Sequence, residues 1–92
     1  MLKSFRNKAL QRFFETGSPR GLSVQDDKRV ARILRALEAA SKPEDMDLPG
    51  YRFHGLSGDQ KGRYSVRVNG NWRITFGWDG EDVIEVELED YH

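Results

Sequence analysis

Residues 63–90 read RYSVRVNGNWRITFGWDGEDVIEVELED, and their periodicity decides the fold. Tyr64, Val66 and Val68 alternate with Arg63, Ser65 and Arg67. Trp72, Ile74, Phe76 and Trp78 alternate with Arg73 and Thr75, and Ile84, Val86 and Leu88 with Glu85, Glu87 and Glu89. A period of two is that of a strand with one covered face. The segments NGN (69–71) and DGED (79–82) separate the runs with turn residues, so the spacing predicts three strands joined as an antiparallel meander. If Tyr64, Trp72 and Ile84 face the core, then Arg67, Arg73, Glu85 and Glu87 share the opposite face. An antiparallel sheet can leave that face wet, which makes it the natural place for a site.

Upstream, YRFHGL (51–56) reads as one more strand. The N-terminal part supplies the layer that covers the sheet. LKSF opens as a short alternating strand, and RNKALQRFFETG as a helix with Ala9, Leu10, Phe13 and Phe14 at helical spacing and Gly17 at its C-terminal end. After the turn SPRG, Ser23 and Asp26 have the spacing of a capping box. Val30, Ile33, Leu34 and Leu37 then form an apolar stripe, with Lys28, Arg29, Arg32 and Arg35 largely outside it. Pro43 ends this helix or opens a short turn through PEDM. The expected architecture is α+β: two N-terminal helices packed on a small twisted antiparallel sheet, in a single domain over residues 1–92.

With 37% hydrophobic residues and ten aromatics, 92 residues can bury one core. The absence of cysteine excludes disulfides and thiolate chemistry and fits a reducing compartment. No apolar run approaches the roughly 20 residues of a membrane span, and the first residues lack the pattern of a secretory signal, so a cytoplasmic protein is expected. The net charge of zero conceals an asymmetry. Residues 1–42 carry ten Lys/Arg against four acids, residues 43–76 five against four, and residues 77–92 seven acids with no base. A basic half can track phosphates, or the acidic last strand can neutralise basic neighbours within the fold; both readings stay open.

Arg67 and Arg73 on one open face can bind phosphate bidentately at any working pH, or can pair across strands with Glu85 and Glu87. His54 and His92 are the only side chains that titrate near neutrality when unperturbed, and either can serve as general acid or base or simply pack. Along the last strand Asp90 and His92 continue the side of Leu88, and Tyr91 that of Glu89. HGLSGDQKG holds three glycines but lacks the Lys-Ser/Thr ending of a phosphate-binding loop. Two isolated histidines without cysteine offer no metal-ligand spacing, so neither a metal nor another cofactor is expected.

Three pieces in order carry a family resemblance: MLKSFRNKALQRFFETG, FHGLSGDQKGRYSVRVNGNWRITF and the closing EDYH. Together they resemble the HigB-type branch of the RelE/ParE toxin superfamily over nearly the whole chain. The resemblance implies a toxin of a type II toxin–antitoxin pair, a ribosome-dependent endoribonuclease (mRNA interferase) that cuts messenger RNA in the ribosomal A site. Its implied partners are a HigA-type helix-turn-helix antitoxin, through which alone it reaches operator DNA, and the ribosome. Carried over by position, the functional residues are His54, Arg67, Arg73, Asp90, Tyr91 and His92. His92 is the first choice for proton transfer, Asp90 or His54 assist, the two arginines stabilise phosphate charge, and Tyr91 stacks on a base. Lys28, Arg29, Arg32 and Arg35 would meet ribosomal RNA phosphates. One departure stands out: the family commonly has lysine where this chain has Ser57, and Lys61 nearby is a candidate replacement. The alternatives are a ParE-like inhibitor that binds DNA gyrase without chemistry, and a weakened toxin acting as antitoxin partner and operon co-regulator.

Overall fold

The computed structural model describes residues 1–90. The meander forms as expected from β2 (Arg63–Asn69), β3 (Trp72–Asp79) and β4 (Asp82–Asp90), with the two-residue β1 (His54–Gly55) beside β2. The sheet order is β1-β2-β3-β4, antiparallel throughout. LKSF also joins the sheet, but in parallel: Leu2 bridges Val83 and Phe5 bridges Val86 along the outer edge of β4. Backbone hydrogen bonds from Lys3 N–H to Val83 O (2.8 Å) and from Arg6 N–H to Val86 O (2.9 Å) close that edge. An edge covered in this way no longer offers unpaired amides to another chain.

Two sequence expectations need correction here. YRFHGL supplies only His54 and Gly55 as strand, because Arg52 takes a left-handed backbone (φ 49°) that interrupts the regular pairing, although the Tyr51 carbonyl still accepts the Arg67 N–H of β2 at 2.6 Å. Ile84 does not face the core. Glu85 is also left-handed (φ 51°) and the β3–β4 register shifts between Thr75 and Gly77, so β4 carries a bulge. Val83 and Val86, three residues apart, are thereby both fully buried, and Ile84 lies on the opposite face over Gly77. Gly77 makes the room, since a Cβ there would come within 3.2 Å of Ile84 Cγ1. The Ser4 hydroxyl accepts the Glu85 N–H at 2.8 Å and so pairs a donor that the bulge takes out of the ladder.

The helices are α1 (Lys8–Thr16) and α2 (Asp27–Ala39). Asn7 caps α1 through the Leu10 N–H (3.0 Å), and Gly17 ends it in the left-handed conformation (φ 80°) with its N–H on Phe13 O. The expected Ser23–Asp26 box does not form. Buried Val24 holds the preceding segment in the core, and Asp26 itself is the cap, accepting the Arg29 N–H at 3.2 Å. Asp26→Ala is accordingly expected to lower unfolding free energy by ~1 kcal/mol, read from urea melts, whereas Ser23→Ala should change it by less than about half as much. Pro43 opens a 3-10 turn (Pro43–Met46) that places Met46 in the core.

The core lies between the helices and one sheet face. Leu10, Phe13, Val30, Ile33, Leu34 and Leu37 meet Val66, Val68, Ile74, Phe76, Val83, Val86 and Leu88. This leaves the arginine-bearing face of β2 and β3 uncovered by helix. Among the described residues no helix is long and apolar enough to cross a membrane.

Candidate functional site

Pairing sets the site. His54 on β1 lies directly opposite Ser65 on β2, and Arg67 lies directly opposite Arg73 on β3. Like charges in opposed positions repel, so this pair gains from an anion between or above it. Around them is a hollow of about 210 Å³ lined by Arg52, His54, Ser65, Arg67, Gly70, Asn71, Trp72 and Arg73. A second hollow of about 280 Å³ adjoins it, shares His54 and Arg73, and adds Gly55, Leu56, Ser57 and Gln60. A wider hollow, about 430 Å³, lies elsewhere, between the helices at Phe13, Phe14, Ala31 and Leu34, with Lys28 and Arg35 at its margin. Among the described residues no histidine lines it.

The His54 ring is held at both nitrogens. Nδ1 lies 3.1 Å from the Arg52 carbonyl oxygen and Nε2 lies 3.3 Å from Ser65 Oγ. Ser65 is almost fully buried while the imidazole is exposed, so a rigid strand holds a ring that solvent and ligands can reach.

The acid directly opposite Arg73 on β4 is Glu89, and Glu85 and Glu87 turn to another partner. Arg6, from the N-terminal edge, takes Glu85 (3.6 Å) and Glu87 (3.7 Å), and Lys3 takes Asp82 (3.3 Å). Glu89 accepts a hydrogen bond from Thr75 Oγ1, which in turn accepts from Arg63 Nη2 at 3.0 Å. Buried Arg63 also donates to Glu85 O at 3.0 Å. Burial pushes its pKa below the ordinary arginine value; Arg6 adds to this, and Glu89, Glu85 and Glu87 oppose it. The acidic strand thus neutralises basic neighbours inside the fold, as one of the two charge readings holds, and those neighbours are Lys3, Arg6 and Arg63.

The predicted site residues separate into groups. His54, Arg67 and Arg73 come together. Asp90 ends β4 opposite Trp72, on the side of Leu88, as its parity predicts. Tyr91 and His92 lie outside the described residues. Arg29 has partners within the fold: its Nη2 donates to Gly50 O (2.7 Å) and Arg67 O (2.9 Å), and its guanidinium lies 5.1 Å from the Tyr51 ring centre. It braces the backbone behind Arg67. Lys28, Arg32 and Arg35 are exposed on α2 and line neither hollow of the pair, and Lys61 lines neither. Sequence reasoning missed Arg52, Ser65, Asn71 and Trp72. The available signal was spacing: Arg52 stands two residues from His54, and Ser65 two from Arg67.

The chain is 38% identical over 92 residues to Endoribonuclease HigB of Proteus vulgaris, covering all of both chains. It is 35% identical over 80 residues to Toxin HigB-1 of Vibrio cholerae serotype O1, covering 85% of this chain and 84% of that one. Its fold is similar to the crystal structure of YafQ from E. coli strain BL21(DE3), with a TM-score of 0.62 at 14% identity over 97% of this chain and 92% of that one. Residues 3–92 match the model of the HigB-like toxins, described as the RelE-like toxin of type II toxin–antitoxin system HigB. Matched over nearly its whole length, the chain belongs to the HigB-like toxins of type II toxin–antitoxin systems.

Proposed function

We propose that this protein is an endoribonuclease toxin that cleaves messenger RNA in the ribosomal A site and is silenced by a helix-turn-helix antitoxin, in the cytoplasm. The observation that carries the reading is the placing of three arginines, Arg52, Arg67 and Arg73, around one exposed imidazole, in a hollow that no carboxylate lines among the described residues. Such a site suits a phosphodiester. The guanidinium groups hold and neutralise the phosphate, most strongly as charge builds on its oxygens in the transition state. A group titrating near neutrality takes the proton of the attacking ribose hydroxyl, and another supplies one to the departing oxygen. His54 and His92 are the two candidates for those roles, with Asp90 assisting. Tyr91 and Trp72 offer flat faces to unpaired bases.

Small open hollows give little control over how a flexible RNA lies. Binding on the ribosome supplies that orientation, since the messenger is already held in a defined path there. Exposed Lys28, Arg32 and Arg35 on α2, together with Lys61, are available to ribosomal RNA phosphates.

The test is primer-extension mapping of a defined messenger translated in a purified system. Cuts are expected with the native protein, to vanish without ribosomes, and to vanish with His92→Ala. Translation that proceeds uncut would overturn the nuclease reading and favour the gyrase-binding alternative, read by plasmid supercoiling. Ser57 faces the second hollow beside His54 and Arg73. Ser57→Lys adds a cation there and is expected to raise the cleavage rate in the same assay. An unchanged or lower rate would count against phosphate binding in that hollow.

A further inference from the structure

We infer that Arg52 acts through its backbone, fixing the proton of His54 on Nδ1 and leaving Nε2 as the base that starts the cleavage reaction. This rests on the nuclease reading above and assigns a direction to its proton transfers. Among the described residues only Arg52 and Glu85 hold a side chain on a left-handed backbone, with φ of 49° and 51°. The Glu85 geometry is that of the β4 bulge. At Arg52 the pairing with β2 is irregular, the Arg67 N–H going to the Tyr51 carbonyl at 2.6 Å and leaving the Arg52 carbonyl for another partner, and strained backbone of this kind tends to gather at functional sites. What it achieves is local: it presents the Arg52 carbonyl oxygen to His54 Nδ1 at 3.1 Å.

A carbonyl oxygen can only accept, so the hydrogen of that contact is on Nδ1. In the neutral ring Nε2 then carries the lone pair. Ser65 Oγ, 3.3 Å away, donates to it in the free protein, and its hydroxyl rotates to release the single lone pair when a ribose hydroxyl arrives. Among the described residues the charged groups lining the two hollows with the ring are the guanidiniums of Arg52, Arg67 and Arg73, from the loop, β2 and β3, and no carboxylate does; Glu89 stands opposite Arg73 in the β3–β4 ladder. A phosphate drawn by those cations would bring the adjacent ribose hydroxyl to the lone pair. Nε2 takes the 2′-hydroxyl proton, the 2′-oxygen bonds to phosphorus, and the bond from phosphorus to the 5′-oxygen breaks. That oxygen leaves with a proton from the second titrating group. The His54 imidazolium still donates Nδ1–H to the Arg52 carbonyl, which shares its charge. Arg52 is thus a positioning residue for His54, apart from any contact its guanidinium makes with RNA.

Two substitutions separate backbone from side chain, since both remove the guanidinium. Arg52→Asn tolerates the left-handed conformation, and Arg52→Val, being β-branched, opposes it. The first readout needs no RNA: nitrogen-15 spectra of ring-labelled protein, with the His92 signals assigned by a His92→Gln variant. The native protein and Arg52→Asn should show one protonated nitrogen at Nδ1 and one lone pair at Nε2, and Arg52→Val an average of the two tautomers. Cleavage by Arg52→Val should then be about tenfold slower than by Arg52→Asn, with the acidic limb of its pH–rate profile displaced. A native ring protonated on Nε2, or spectra unchanged in Arg52→Val, would overturn the inference. So would equal loss of activity in both variants with the native tautomer retained, which would leave Arg52 only its guanidinium. Spectra as expected from a native protein that cuts no RNA would instead overturn the nuclease reading, and the base role with it.

Discussion

His54→Ala is expected to slow ribosome-dependent RNA cleavage by about 10²- to 10⁴-fold, the usual contribution of a positioned proton-transfer group. The melting midpoint should hardly move. The imidazole is exposed, and its hydrogen-bond partners, the Arg52 carbonyl and the Ser65 hydroxyl, belong to backbone and strand that stand without it. Exposed substitutions of this kind stay within roughly 0.5 kcal/mol. The measurement pairs single-turnover cleavage on programmed ribosomes with thermal melts of the free protein. Cleavage retained within about threefold would remove His54 from proton transfer. A fall in rate matched by a large fall in melting temperature would mean that the ring is structural.

The opposite signature belongs to Phe76. It is fully buried at the centre of β3, opposite Tyr64, with ring centres 5.8 Å from Tyr64 and 6.3 Å from Trp78. Phe53 extends the group by stacking on Tyr64 at 5.7 Å. Phe76→Ala opens a cavity that the strand cannot close, since Ile74 and the helices are themselves close-packed around it. The expected loss is about 3–5 kcal/mol, which for a chain of this size lowers the melting midpoint by roughly 15 °C or more. That is a large part of the whole stability of a small domain. A loss under about 1 kcal/mol in urea melts would show that this aromatic group is not where the sheet gains its stability.

Much of this was legible in the sequence, for identifiable reasons. The meander was, because the apolar residues of β2, β3 and most of β4 recur with a period of two, with Gly70 and Gly80 in the turns between them. The helices were, because Asn7, Gly17 and Asp26 mark their ends. The short β1 was not: whether YRFHGL stays extended depends on the single backbone conformation at Arg52, which no side-chain pattern records. The facing of Ile84 was misread because a bulge leaves no trace in alternation until the burial of Val83 is known. At the site, Arg67 and Arg73 were found by parity. The pairing of Glu85 and Glu87 with Arg6 was not, because Arg6 stands about eighty residues earlier in the chain and arrives along the edge of β4. The bracing contacts of Arg29 were not legible since a surface arginine on a helix looks the same in sequence whether it faces solvent or holds a neighbouring strand.

The bulge at Glu85 also gives the last strand the property of a reading frame. Everything after it is set one step out of phase with Val83 and Ile84 before it. Loss of that one codon, in frame, would remove the extra residue and leave a regular ladder, with Ile84 still opposite Gly77, Glu87 still opposite Thr75, and Val86 and Leu88 still in the core. Loss of a codon beyond the bulge has the other outcome. Without Glu87, Leu88 turns outward and Glu89 is driven into the space it vacates. The strand thus tolerates a one-residue deletion at Glu85 far better than one two residues later.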